Sequence, residues 1–190
     1  GSLTTVELPP TLREIGSFAF MGCGFEKIDL PDKLEIIGGN AFYGCYRLSA
    51  VTIPGQVVCI GAEAYLNCVN LVTVTYEGDR DKIDIGAGPF RGTPYAESLK
   101  DLPFRLVVSK GVLVGIEGVP PAEVEIPSGV TEIGAYVFSG CSELRLVMIP
   151  EGVTRIGAWA FEYSGLQEVK LPSTINTLDY YEFGSCDRLT

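Results

Sequence analysis

One ten-residue phrase recurs seven times along these 190 residues. It reads EIGSFAFMGC at 14–23, IIGGNAFYGC at 36–45, CIGAEAYLNC at 59–68, DIGAGPFRGT at 84–93, EIGAYVFSGC at 132–141 and RIGAWAFEYS at 155–164. A worn copy, TLDYYEFGSC, closes the series at 177–186. Successive copies start 22, 23, 25, 48, 23 and 22 residues apart. A period in this range belongs to a stacked-coil solenoid, in which each unit buries its apolar face only against its neighbours. Such a scaffold presents a surface rather than a catalytic pocket.

Between the phrases lies a second periodic element: LTTVELP at 3–9, FEKIDLP at 25–31, LSAVTIP at 48–54, LVTVTYE at 71–77, AEVEIP at 122–127, LRLVMIP at 144–150 and LQEVKLP at 166–172. Alternating aliphatic and polar residues predict short parallel strands near 4–8, 26–30, 49–53, 72–76, 122–126, 145–149 and 167–171. The proline that usually follows has no N–H to give a ladder and suits the strand's exit. Within the phrase, Ile15, Ile37, Ile60, Ile85, Ile133 and Ile156 are expected to stack as an apolar ladder. Phe20, Phe42, Tyr65, Phe90, Phe138, Phe161 and Phe183 form a second, aromatic one. The glycines after the isoleucines (Gly16, Gly38, Gly61, Gly86, Gly134, Gly157) are read as bends with φ > 0. Asp179, in their place in the last copy, tolerates that region better than most residues.

Composition narrows the work such a scaffold does. At 46% hydrophobic and 20% charged, the chain has what a packed core needs. Its net charge of −10, with no cluster of basic residues, argues against nucleic acid. No run approaches the roughly 20 apolar residues of a membrane helix, so no membrane insertion is expected of this segment. There is no histidine, the commonest general base, and neither Ser-x-x-Lys nor Gly-x-Ser-x-Gly occurs. The charge run Glu77–Lys82 alternates in sign and reads as a solvated loop rather than a cation site. No catalytic residue, cofactor or metal is expected.

Five of the six cysteines (Cys23, Cys45, Cys68, Cys141, Cys186) share one phase of the repeat, with Thr93 and Ser164 in the same slot elsewhere. Small buried side chains explain this sharing. A disulfide between stacked coils is geometrically open, while the close Cys pairs of zinc sites are missing. Cys59 lies outside the ladder. Gly1-Ser2 reads either as an expression scar or as the slot that Ser142-Glu143 fills later. With no initiator Met and no signal peptide, 1–190 is expected to be a single solenoid lifted from a longer array.

The unit strand-Pro-x-x-[VIL]-x-x-Ile-Gly-x-x-Ala-Phe-x-x-Cys resembles the BspA-like (Treponema pallidum-type) leucine-rich repeat family of bacterial surface proteins, over about 3–93 and 122–190. The resemblance implies a leucine-rich repeat solenoid of the α/β horseshoe class, mainly β and right-handed. It implies a concave parallel sheet with short turns or 3-10 segments behind. It further implies an extracellular or cell-surface location and adhesion or protein binding, with a host matrix or cell-surface protein as partner. Pro89, Thr93 and Glu182 depart from the pattern, and looser packing is expected in their coils.

The 48-residue gap holds an irregular insert or modified repeat at 94–121, where two apolar runs flank Ser109-Lys110-Gly111, a hairpin signal. Beyond it, alternation turns Leu146 and Met148 outward from a strand whose Val147 faces the core. Their expected neighbours are Glu123 and Glu125 on one side and Glu168 and Lys170 on the other, with Arg145 one step before. An apolar pair in a charged rim is the layout of a partner-binding surface. The outward residues of the earlier strands (Thr5, Glu7, Lys27, Asp29, Ala50, Thr52, Thr73, Thr75) are small and polar. Two functions remain open: a binding module, or a passive spacer, which predicts a uniformly polar sheet face.

Overall fold

A computed structural model describes residues 3–178 and 181–190. The expectations on Gly1-Ser2 and Asp179 lie outside the described residues. The chain forms two compact units, Gly1–Leu99 and Lys100–Thr190, each a stack of short β coils around its own hydrophobic core.

In the first unit the isoleucine ladder is a parallel sheet of two-residue strands: β1 (Glu14–Ile15), β2 (Ile36–Ile37), β4 (Cys59–Ile60) and β6 (Asp84–Ile85). Its register sets Ile15 on Ile37, Ile37 on Ile60 and Ile60 on Ile85. A second parallel pair, β3 (Ala50–Ile53) and β5 (Thr73–Tyr76), forms from the alternating element. Behind them the chain returns in hydrogen-bonded turns rather than helix. Phe20, Phe42, Tyr65 and Phe90 stack ring on ring at 4.9 to 5.5 Å between centroids. Offset stacking of this kind adds about 0.5–1.5 kcal/mol per pair to the burial itself.

The fourth coil departs from the repeat without loosening. Phe90 keeps its place on Tyr65, and Pro89 O accepts the Tyr65 N–H at 2.7 Å. Thr93, buried in the cysteine slot, accepts from the Ala96 N–H and caps the short helix α1 (Pro94–Ser98). The Cys-to-Thr departure is thus what starts the insert, because a hydroxyl caps a helix better than a thiol. Glu182 in the last coil is likewise buried, and Phe183 stacks on Phe161 at 5.3 Å. The looser packing expected of both coils is not found in the fourth, whereas in the last Leu178, in the ladder isoleucine's place, is 49% exposed and forms no strand.

The second unit opens with a hairpin, β7 (Arg105–Ser109) antiparallel to β8 (Val112–Glu117). Lys110 and Gly111, both with φ > 0, make the two-residue turn. β8 then pairs in parallel with β10 (Glu132–Ile133), which pairs with β12 (Arg155–Ile156). Leu113 sits on Ile133, so the insert supplies the rung that an isoleucine supplies elsewhere. A three-stranded parallel sheet of β9 (Glu123–Glu125), β11 (Leu146–Met148) and β13 (Glu168–Lys170) completes the unit.

Two expectations need correction. The segments 4–8 and 26–30 are not strands; they run irregularly alongside the stack. Phe25, fully buried, fills the slot that Leu48, Leu71, Leu144 and Leu166 fill in other coils, and packs edge-on against Phe20. The bulkier ring at the root of 26–30 accompanies the loss of its ladder to β3.

The second correction concerns the ladder glycines, none of which has φ > 0. One left-handed residue lies two places further on, at Phe18, Asn40, Glu63, Gly88, Tyr136, Trp159 and Tyr181, with φ between 53° and 61°, and a second at the ninth position of the phrase, as at Gly22, Asn67 and Tyr163. The glycines serve close approach instead. A Cβ on Gly38, Gly61, Gly86 or Gly157 would lie 2.3 to 2.5 Å from a backbone nitrogen of the preceding coil. One on Gly16 would meet nothing within 4 Å.

Candidate functional site

The sheet β9–β11–β13 places the expected side chains in two rows. Register aligns Glu123, Leu146 and Glu168 in one row and Glu125, Met148 and Lys170 in the next. Val124 and Val147 point inward, at 3% and 0% exposure, which turns the intervening residues outward. Met148 is 44% exposed, Leu146 half-buried, and the four charged neighbours are exposed. Arg145 is exposed too, while its backbone ties β9 to β13: its N–H donates to Ala122 O at 2.7 Å and its carbonyl accepts from Gln167 N–H at 2.8 Å. The strands sit ~4.8 Å apart, so Met148 lies between a carboxylate and an ammonium. Such a surface offers apolar contact at its middle and charge at its edge.

The cysteine slot has a physical account. Cys45 Sγ donates to Phe20 O, Cys68 Sγ to Phe42 O and Cys186 Sγ to Phe161 O, each at 3.1 Å. In these three coils a small donor in the slot ties the coil to the ring residue of the one before, while Thr93 bonds to Phe90 O of its own coil at 2.6 Å. Burial pushes the Cys141 thiol up to about 11, with Lys100 partly opposing it. The hydrogen bond to Cys45, then burial, push Cys68 up. Burial, and then Cys45, raise Cys23. These three thiols, held protonated, are poor nucleophiles and poor metal ligands, while the hydrogen bond with Cys68 lowers Cys45. All six cysteines are free, and among the described residues no group of three or more Cys, Asp or Glu is gathered as metal ligands are.

Two features escaped the sequence reading. One is a column of outer rings in the second unit, Tyr136 on Trp159 at 5.1 Å and Trp159 on Tyr181 at 6.4 Å, at the fifth position of the phrase. The other is a cleft of about 400 Å³ in the first unit, between 26–32 and β3. Its only signal in the sequence is Phe25 where other coils have leucine.

The chain matches the BspA type leucine rich repeat region in six copies, over residues 1–97 and 120–190. It belongs to that family, and its fold is a leucine-rich repeat solenoid. No curated protein matches it significantly. Among solved structures it is similar to the pneumococcal vaccine antigen PcpA, at 19% identity and a TM-score of 0.63, over 95% of this chain and 54% of that one. It is also similar to a leucine rich cell surface protein from Faecalibacterium prausnitzii A2-165, at 24% identity and a TM-score of 0.57, over 98% of this chain and 65% of that one. These likenesses establish the fold, and the chain spans less than two thirds of either protein. Among the described residues no helix is long and apolar enough to cross a membrane.

Proposed function

We infer that this segment is a non-enzymatic protein-interaction module of a bacterial surface protein, and that its partner is a host matrix or cell-surface protein. Membership of the family supports this, as does the likeness to a vaccine antigen and to a cell surface protein. The same support favours an extracellular location and a single solenoid array along 1–190, with the insert as a modified repeat whose Leu113 keeps the ladder rung.

The observation that carries the binding reading is the Leu146–Met148 pair, in register between Glu123, Glu125, Glu168 and Lys170, with Arg145 beside it. A passive spacer, the rival reading, calls for a uniformly polar face there, and an exposed methionine beside a half-buried leucine is not that. Capture from host matrix and cell-surface extracts, with wild type and with Leu146→Glu/Met148→Glu, tests the reading. A protein bound by wild type should lose about a hundredfold or more in affinity to the double variant, as for two central contact residues, while Tm stays nearly unchanged. Equal capture by both would take the function away from this face.

A further inference from the structure

The cleft between 26–32 and β3 is a break in a sheet, and its two walls show which groups the break leaves open. In the second unit the equivalent seam is closed: Leu146 N–H donates to Ala122 O at 3.0 Å, and Met148 O accepts from Ile126 N–H at 3.0 Å. In the first unit the corresponding bonds, Ala50 N–H to Glu26 O and Leu30 N–H to Thr52 O, are not made. Glu26 O accepts instead from Ser49, from its N–H at 3.3 Å and its hydroxyl at 3.4 Å, so the seam is tied at its root and open beyond it. On its other side β3 is committed to β5, since Thr73 N–H and Glu77 N–H donate to the carbonyls of Ser49 and Ile53. Strand alternation then turns the backbone groups of Ala50 and Thr52 into the cleft.

The charge of the lining is one-sided, four carboxylates (Glu26, Asp29, Asp32, Glu77) against one ammonium, Lys27. Lys27 is held by Asp29 at 2.7 Å, and Glu26 by Arg47. That leaves Asp32 and Glu77 without an ion pair among the described residues. A cleft of this volume is within the ~300–1,000 Å³ of ordinary ligand sites.

We propose that this break is a second binding site, where an extended cationic polypeptide segment adds as a strand to the open edge of β3. Backbone hydrogen bonds to Ala50 and Thr52 supply the attraction common to any sequence, as in strand addition generally. Asp32 and Glu77 select lysine or arginine side chains, whose charge they complement. The four residues of β3 span ~13 Å at about 3.3 Å each, so a segment of five or six residues covers the edge.

The test uses the full 190-residue chain and an acetylated, amidated hexapeptide of alternating lysine and valine. Two further probes are the same peptide N-methylated at alternate amides and its glutamate counterpart. Binding is measured by titration calorimetry and by NMR shifts of the Ala50 and Thr52 amides. The lysine peptide should bind and move both amides. N-methylation on the bonding edge should weaken it at least tenfold, Asp32→Asn/Glu77→Gln should weaken it several-fold, and the glutamate peptide should not bind. The Leu146→Glu/Met148→Glu chain should bind the lysine peptide as wild type does, which separates failure here from failure of the face on β11. The proposal is overturned if the Ala50 and Thr52 amides are already protected from exchange without peptide. It is equally overturned if they do not shift, or if the N-methylated peptide binds as tightly, since attraction to an acidic surface alone would then account for binding.

Discussion

The two units run the same repeat to different ends. In both, isoleucine and aromatic ladders are buried and the coils are tied through the cysteine slot. In the second unit the alternating segments zip into three paired strands, whereas in the first the sheet stops at β3 and a cleft opens beside it. The outer left-handed position also differs, carrying Tyr136, Trp159 and Tyr181 in one unit and Phe18, Asn40, Glu63 and Gly88 in the other. The phrase therefore fixes the stack, and the residues that it leaves free decide what each unit offers to a partner.

The sharpest way to break this comparison uses one letter of the phrase. Gly61→Ala would put a methyl 2.4 Å from the backbone nitrogen of Gly39, and Gly86→Ala one 2.3 Å from that of Ala62. Either substitution should cost about 3 kcal/mol or more, because backbone cannot give way as a side chain does. Gly157→Ala should do the same in the second unit, where the clash is 2.5 Å from Ala135 N. Gly16→Ala meets nothing and should stabilise by about 0.4–1 kcal/mol through the unfolded chain. Urea midpoints read all four. Equal effects at Gly16 and Gly61 would mean that the glycine is needed for its conformation and not for close approach.

A smaller effect in the second unit is read by pH. The Cys141 thiol titrates near 11 in the fold, against its ordinary value of 9.0. A group with its folded pKa raised contributes stability that is whole below pH 9 and is lost as pH climbs through 11. Two units correspond to at most about 2.7 kcal/mol, less for a thiol that is only partly buried. Cys141→Ser should flatten the fall in stability between pH 9 and 11. A fall unchanged by Cys141→Ser would place the alkaline sensitivity elsewhere.

The break in the first sheet has its own lever. If Phe25 holds 26–30 away from β3, Phe25→Leu restores the side chain that the other coils use. Amide exchange at Ala50 should then slow about tenfold, equivalent to roughly 1.4 kcal/mol of added protection. No slowing would clear Phe25 of the break.

How far the sequence carries depends on whether chemistry or geometry names the residue. The Ile and Phe ladders, the Cys slot and the Lys110–Gly111 hairpin turn were legible, because each has a residue type that only one environment explains. The outward setting of Leu146 and Met148 was legible from alternation alone. The glycines were misread, since a bend and a close approach call for the same residue. The cleft was hidden because FEKIDLP reads like any other strand of the series, and one ring at position 25 is a steric fact without a pattern. The left-handed position was invisible, as phenylalanine, asparagine, glutamate and tryptophan share no property that announces it.

That position gives the smallest and most diagnostic prediction. Trp159, the only tryptophan, takes φ 57° with its ring between Tyr136 and Tyr181. A large residue there costs about 1–2 kcal/mol, and two stacked contacts return about 0.5–1.5 kcal/mol each. Asn40 holds the same place in the first unit at φ 55°, and asparagine accepts the left-handed region readily. Trp159→Asn therefore trades strain for stacking, and the two nearly cancel. The change in stability should stay within about 1 kcal/mol, or a Tm shift of roughly 2–4 °C at this chain length. A loss several times larger would show that the outer rings, and not the buried ladders alone, hold the second unit's coils together.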